Sequence, residues 1–369
     1  MSKILEQTLS LEEIAVEGFE KIYYITDPAV GLKALICIHD STLGPALGGI
    51  RIFPYQTLEE GLTDVTRLAR GMTYKSAIVD AGLGGAKSVI FANSKTKTRE
   101  MLLSFAEAIH QLGGLYTGAE DVGCTTDDVA IIGERTPYVV GLMHEKSSGN
   151  PSYYTAWGTY RGIQAALQHK FGSDSVAGKV VAIQGLGAVG SLLIQHLFWH
   201  GAKLIISDID WEKTQRLAKL YGATACPVED IMQVKCDVFA PCALGGTLNP
   251  KTIPQIRCSI VAGCANNQLL SESDADLLSK KGILYAPDFV INGGGLINVS
   301  HEILPQGYDP SMARAKVDAI YEQLLNIFAM ADKNNYSTHQ AAVALCDYRL
   351  KNKIGCRTEA PVYHHFKNA

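Results

Sequence analysis

No apolar run reaches the ~18 residues that a membrane helix requires. Met1–Gln7 carries no long apolar core, so a secretory signal is not expected either. Charge of one sign is also missing: 33 Lys and Arg stand against 37 Asp and Glu, a formal balance of −4 with no acidic or basic tail. That argues against a nucleic-acid or anionic-membrane binder, which would carry a basic patch or stripe. The nine cysteines, scattered from Cys37 to Cys356, are odd in number and include no C-x-x-C pair. A disulfide framework and a structural zinc site are therefore not expected, nor is any other metal. Small buried thiols in a reducing cytoplasm fit better. Internal repeats and low-complexity segments are absent as well.

What is present is a chain of 369 residues, more than twice a typical ~150-residue domain, so two domains are expected. Its 35 glycines supply many tight turns and close backbone approaches. In the first third, Lys21–Thr26 and Leu32–Ile38 read as strands joined by the turn formers 27–31, a plausible hairpin. Thr57 and Glu60 have the spacing of a capping box ahead of the helical stripe Leu62, Val65, Leu68, Ala69 and Met72. Lys87–Phe91 is a further strand. Leu102, Phe105, Ala106, Ile109 and Leu112 form a second helical stripe, closed by Gly113. The cluster Ser147-Ser148-Gly149-Asn150-Pro151 reads as a hinge. A helix from about Ala156 to His169 follows. Short buried strands at 180–184, 203–207, 237–240, 259–262 and 283–285 then alternate with helices, which implies βαβ units and a parallel sheet. Asp309 to Asn334 reads as one long helix, and Ser337 caps a final one.

Gly185-Leu186-Gly187-Ala188-Val189-Gly190 is a full G-x-G-x-x-G that follows a buried strand and opens a helix ending near Gly201. In that context Gly185 allows the tight turn, Gly187 lets a pyrophosphate approach the backbone and Gly190 lets helix and strand pack closely. The phosphates would sit on the helix N-terminus, with Ser191 in its first turn. The next strand ends at Asp208, an acid placed to accept from ribose hydroxyls and to repel a 2′-phosphate, so NAD is the expected cofactor.

Two lysines sit in apolar, glycine-rich company: Lys75 in Gly71-Met72-Thr73-Tyr74-Lys75 and Lys87 in Gly84-Gly85-Ala86-Lys87. The glycines before Lys87 would let a ligand approach its amine. Burial beside a second cation would lower its pKa towards neutrality and make it a base; a solvated surface charge is the bland alternative. Asp121, in a loop, could shuttle protons or merely cap a turn. Gly44–Gly49 reads as a loop whose exposed amides could bind a carboxylate, or which is only structural.

Several motifs taken together resemble the amino-acid dehydrogenases of the Glu/Leu/Phe/Val superfamily, with the leucine dehydrogenases nearest. They run in order from about residue 40 to 302: 42–49, 71–75, 84–87, 119–123, 149–152, 240–245, 265–269, 285–288 and Val290-Ile291-Asn292 followed by glycines. The resemblance implies an α/β protein with an N-terminal mixed α/β substrate domain, a Rossmann-type doubly wound nucleotide domain and a cleft between them. On this basis residues 1–145 plus about 335–369 form the substrate and oligomerisation domain, and 146–334 the NAD domain. It implies reversible, NAD-dependent deamination of an L-amino acid to a 2-oxo acid and ammonia by a homo-oligomer, an octamer or a dimer, with no nucleic-acid or membrane partner. Carried over, Lys87 and Asp121 are catalytic. Lys75, Gly48, Gly49 and Asn267 hold the substrate carboxylate. Thr155 and Asn292 lie near the nicotinamide. Leu47, Ala119, Leu296 and Val299 line the side-chain pocket.

All four pocket residues are apolar, which disfavours glutamate. Branched aliphatic substrates (leucine, valine, isoleucine) are expected first. Leu296, where leucine dehydrogenases usually have valine, narrows the pocket, whereas Gly118, where they usually have threonine, loosens its neighbourhood. Gly293 also departs from their usual alanine. Tryptophan dehydrogenases share the pattern Gly295-Leu296-Ile297-Asn298, so an aromatic-specific enzyme (phenylalanine or tryptophan) is the alternative. A non-catalytic NAD sensor and a methyltransferase explain the paired lysines less well.

Overall fold

Mostly buried runs along the central strands build one mixed sheet that is covered on both faces. In the computed structural model, described for residues 8–142, 144 and 147–366, the strands of this sheet are β1 (Ser10–Glu13), β2 (Lys21–Asp27), β3 (Leu32–Asp40), β4 (Ala46–Phe53), β5 (Gly84–Phe91) and β6 (Tyr116–Glu120). The expectation about Met1–Gln7 lies outside the described residues. The spatial order is β1-β2-β3-β5-β4-β6; β2 and β3 form the expected antiparallel hairpin, and β4 runs parallel to both β5 and β6. Helix α1 (Leu58–Ile78) covers one face, where Val65 and Ala69 pack on Ile22, Leu35, Cys37 and Val89. Helices α2 (Arg99–Gln111) and α3 (Thr126–Gly133) cover the other, with Phe105 and Ile109 against Ile36, Ile50 and Tyr116.

Local caps follow the sequence with one change. The Thr57 hydroxyl accepts from the Glu60 N–H, but the Glu60 carboxylate takes the N–H of Gln56 rather than that of Thr57, so the expected reciprocal box does not close. A closed box caps α3 instead, between Thr125 and Asp128.

The second unit opens with α4 (Ser152–Phe171). It continues through β7 (Val180–Gln184), α5 (Ala188–Trp199), β8 (Lys203–Ser207), α6 (Trp211–Tyr221), β9 (Thr224–Ala225), β10 (Val238–Pro241), β11 (Ile260–Val261), α7 (Asp274–Lys280), β12 (Leu284–Tyr285) and α8 (Asp288–Ile291). All six strands are parallel in the order β9-β8-β7-β10-β11-β12. Numbered from β7, that is 3-2-1-4-5-6, the doubly wound dinucleotide-binding order with its switch point between β7 and β10. Gly162 lets α4 lie close to its neighbours: a Cβ there would come within 2.4 Å of Ile291.

The chain then runs through α9 (Gly294–Ser300), α10 (Pro310–Asp318), α11 (Ile320–Asn334) and α12 (Thr338–Lys351). The long helix expected over 309–334 is thus interrupted at Ala319. The two units are Met1–Gly149 with Val299–Asp309 and Arg349–Ala369, and Asn150–Asn298 with Pro310–Tyr348. The return to the first unit therefore differs from an expected boundary near 335. Ser337 and Gln340 cap α12 reciprocally, and the Thr338 hydroxyl donates to the Tyr285 carbonyl at 2.6 Å, which ties the start of α12 to the parallel sheet. Only from Arg349 does it serve the first unit, where the guanidinium donates to the last carbonyls of α1, Ala77 and Ile78, at 2.7 Å each. The other expected boundary, 145/146, falls on residues outside the described set; the division lies at Gly149.

Candidate active site

Strand periodicity assembles the first half of the site. Leu47, Gly49 and Arg51 alternate along β4 and so share a face. Leu47 lies opposite Gly85 in β5 and Thr117 in β6, and Gly49 lies opposite Ala119. The same alternation puts Lys87 and Asp121 on this face. It is the side covered by α1, the helix that carries Lys75; the Thr73 backbone of α1 fills the space over Gly85, where a Cβ would meet it at 2.0 Å.

The catalytic candidates meet at one point. Lys87 Nζ lies 3.1 Å from Asp121 Oδ2, and Arg51 Nε donates to the same oxygen at 2.9 Å. Arg51 also pairs with Asp64 at 2.9 Å, and Asp64 accepts from the Tyr55 hydroxyl at 2.6 Å. Lys87 is only 5% exposed. Burial pushes its ammonium below the ordinary lysine value; Asp121 opposes that shift and the Arg51 cation adds to it. Burial works against the Asp121 carboxylate too, but Lys87 and Arg51 outweigh it and hold the group below its ordinary value. The pair titrates as a unit.

Arg51 is the residue that sequence reasoning missed. Its signal was available, because it stands two positions after Gly49 on a strand whose alternate residues face the lysine.

Three expectations about glycines change. The segment read as a backbone-exposing loop at 44–49 enters β4 at Ala46, so Gly48 and Gly49 stand inside the sheet between β5 and β6. What Gly49 provides is missing bulk: a Cβ there would lie 2.9 Å from Lys87 Nζ and 2.8 Å from Asp121 Cβ. The glycines before Lys87 do not open a path to the amine, since α1 occupies the space over Gly85 and Asp40 and Ser41 that over Gly84. Nor does Gly118 loosen the pocket. It points to the opposite face, where a Cβ would meet Ile50 Cδ1 at 2.8 Å.

Val299 apart, which belongs to the first unit, the second unit holds the other candidates. Gly185 adopts φ +99° and takes the turn out of β7; a Cβ on Gly190 would strike the Gly185 carbonyl at 2.1 Å. Gly187 caps α5 with no side-chain hydrogen bond and with open space where its Cβ would be, so the first amides of α5, those of Ala188, Val189 and Gly190, lack a side-chain cap, while the Ser191 N–H donates to the Gly187 carbonyl at 3.0 Å. The Ser191 hydroxyl donates to the Leu186 carbonyl at 2.7 Å. The Asp208 carboxylate accepts from the Leu186 N–H at 2.6 Å and the Asp210 N–H at 3.0 Å, which fixes it beside the glycine turn. Asn292 donates to Asn266 Oδ1 at 2.8 Å and to the Cys264 carbonyl at 3.2 Å, while its own buried Oδ1 has no partner among the described residues.

A dinucleotide fits this set: uncapped amides for its phosphates, a fixed carboxylate for a ribose, and an orphaned amide oxygen for a donor such as a carboxamide. Thr155 donates to the Pro151 carbonyl, and its Oγ1 sits 2.8 Å from where a Gly295 Cβ would be. Asn267 holds φ +51°, an unusual backbone for a side-chain-bearing residue. Leu296 and Val299, three apart on α9, share one helix face and are 7% and 8% exposed.

Residues 21–138 match the profile of the Glu/Leu/Phe/Val dehydrogenase dimerisation domain, and residues 206–354 that of Glutamate/Leucine/Phenylalanine/Valine dehydrogenase. The chain belongs to the Glu/Leu/Phe/Val dehydrogenase family. It is 48% identical over 342 residues to the leucine dehydrogenase of Geobacillus stearothermophilus, covering 92% of this chain and 93% of that one. The L-tryptophan dehydrogenase of Nostoc punctiforme is 43% identical, covering 95% and 99%. A crystal structure of L-tryptophan dehydrogenase from Nostoc punctiforme superposes with a TM-score of 0.81, covering 91% of this chain and 96% of that one. As a family member the chain is an amino-acid dehydrogenase, with the family's two-domain α/β architecture.

Proposed function

We propose that the protein catalyses NAD-dependent, reversible oxidative deamination of branched-chain aliphatic L-amino acids, yielding the 2-oxo acid, ammonium, NADH and a proton from the amino acid, NAD and water. The carrying observation is the buried Lys87 amine held against Asp121 and Arg51, on a face continued by the apolar Leu47 and Ala119.

Lysine 87, its pKa lowered by burial, takes a proton from the water that attacks the imino carbon. Once protonated, it faces the developing alkoxide as a cation. Asp121 passes protons to and from the substrate nitrogen. Lys75 pairs with the substrate carboxylate, supported by Gly48, Gly49 and Asn267. Leu47, Ala119, Leu296 and Val299 receive the side chain. Bound NAD would supply hydride-acceptor chemistry at the α-carbon. Gly185, Leu186, Gly187, Ala188, Val189, Gly190 and Ser191 would hold its phosphates, Asp208 its ribose, and Asn292 and Thr155 its nicotinamide end. The leucine dehydrogenases stand at 43–48% identity and the aromatic-specific relatives at 40–43%, which supports the aliphatic reading over the aromatic one.

Assembly as a homo-oligomer, an octamer or a dimer, is part of the same reading, supported by the match to a dimerisation domain. So is a cytoplasmic location, which the nine free cysteines suit. Incubation with NAD or NADP and each of the twenty L-amino acids, read as reduced-cofactor absorbance, tests the function. Activity on leucine, valine and isoleucine with NAD is expected; preference for an aromatic or acidic substrate overturns the assignment.

A further inference from the structure

After α12 the chain returns across the first unit as residues 352–366, without a further helix or strand, yet it is pinned along its length. The Arg357 N–H donates to the Leu43 carbonyl at 2.9 Å, and its guanidinium to the carbonyls of Gly82 at 2.9 Å and Ser300 at 3.3 Å. The Val362 N–H donates to the Ile303 carbonyl at 3.1 Å, and His364 Nε2 meets the Leu304 carbonyl at 2.9 Å. Between these two anchors, the Tyr363 hydroxyl lies 2.6 Å from Thr117 Oγ1. Its ring stands edge-on to Tyr138, centroids 5.3 Å apart.

Thr117 has no exposed surface and lies opposite Leu47 in the parallel register of β4 and β6, two residues before Ala119. Its side chain therefore shares the face of Leu47 and Ala119. Tyr363, by bonding to it, is brought to that same face, next to the end of the site away from Lys87 and Asp121. The neighbours Val362 and His364 already fasten the segment, so anchoring alone does not call for a tyrosine reaching a buried hydroxyl.

We propose that Tyr363 is a specificity-determining residue: held by Thr117, its ring walls the far end of the side-chain pocket and limits the pocket to aliphatic side chains. The inference rests on the assignment of Leu47 and Ala119 to that pocket. Without the ring, space opens for a larger side chain, and hydrophobic pockets discriminate by tens-fold for changes of even one methylene.

The test measures kcat and KM for L-valine, L-leucine and L-phenylalanine, with NAD, on the parent, Tyr363→Phe, Tyr363→Leu and Tyr363→Ala proteins. In Tyr363→Ala the kcat/KM ratio of phenylalanine to valine should rise at least tenfold, mostly through KM, with kcat for valine within threefold of the parent. Tyr363→Phe keeps the ring and should hold the ratio within threefold. Should Tyr363→Ala fail to fold, Tyr363→Leu is expected to raise the same ratio at least threefold. An unchanged ratio in the folded variants, or an equal loss on all three substrates, overturns the inference, because a purely structural residue would give one of those results. A parent inactive on every L-amino acid overturns instead the functional reading beneath it.

Discussion

Asp121→Asn should remove the anion that the buried Lys87 and the half-buried Arg51 share. At the 3.1 Å between Lys87 Nζ and Asp121 Oδ2, an effective dielectric of about 20 gives an attraction of about 5 kcal/mol. Breaking a buried pair by removing one partner costs about 3–5 kcal/mol. Asparagine leaves Lys87 beside Arg51 without its own carboxylate partner, while Arg51 keeps only Asp64. The lysine then gives up its proton more readily, because burial and the Arg51 cation both lower its pKa and the Asp121 carboxylate is the chief group that raises it.

Unfolded, Lys87 keeps its ordinary value of 10.5. Below that pH the folded variant binds fewer protons than the unfolded chain, so its stability rises with pH towards 10.5 and falls as pH drops. The parent has the same sign with a smaller slope. Denaturant melts of both proteins from pH 6 to 9.5 should therefore show a gap that widens as pH falls. The acid limb of kcat/KM against pH should move to lower pH in the variant. Its maximum should drop about 10²–10⁴-fold, the usual worth of a positioned proton-transfer group. A stability gap that stays constant across the range, with an unmoved acid limb, would refute the coupling.

Gly49→Ala should cut kcat about tenfold or more and cost about 1–3 kcal/mol in a urea melt, since its Cβ would lie 2.9 Å from Lys87 Nζ; parent-like kcat would remove Gly49 from the site. Asp208→Ser should narrow the preference for NAD over NADP, mainly by weakening NAD, as followed by binding titrations of each cofactor. Equal affinity of the parent for both contradicts the role. Leu296→Val should raise the leucine-to-valine ratio of kcat/KM about tenfold, one methylene being worth about 1–3 kcal/mol in an apolar pocket. An unchanged ratio removes Leu296 from the pocket.

The nucleotide unit was legible in the sequence because its signals are local. The strand before Gly185, the glycine turn, the helix after it and the acid ending the next strand all lie within 180–208, and each follows from turn geometry and short-range packing. The chemical residues Lys87 and Asp121 could be picked out by their company, but their pairing could not, since it depends on two parallel strands lying on either side of β4. That same strand order brings Arg51 onto Asp121, turns Gly118 into the core and hands the space over Gly85 to the backbone of α1. The chain end gave no local sign of its place. Tyr363 reaches Thr117 across 246 residues of sequence, a contact that exists only once the chain has crossed to the second unit and returned, so tertiary structure alone decides it.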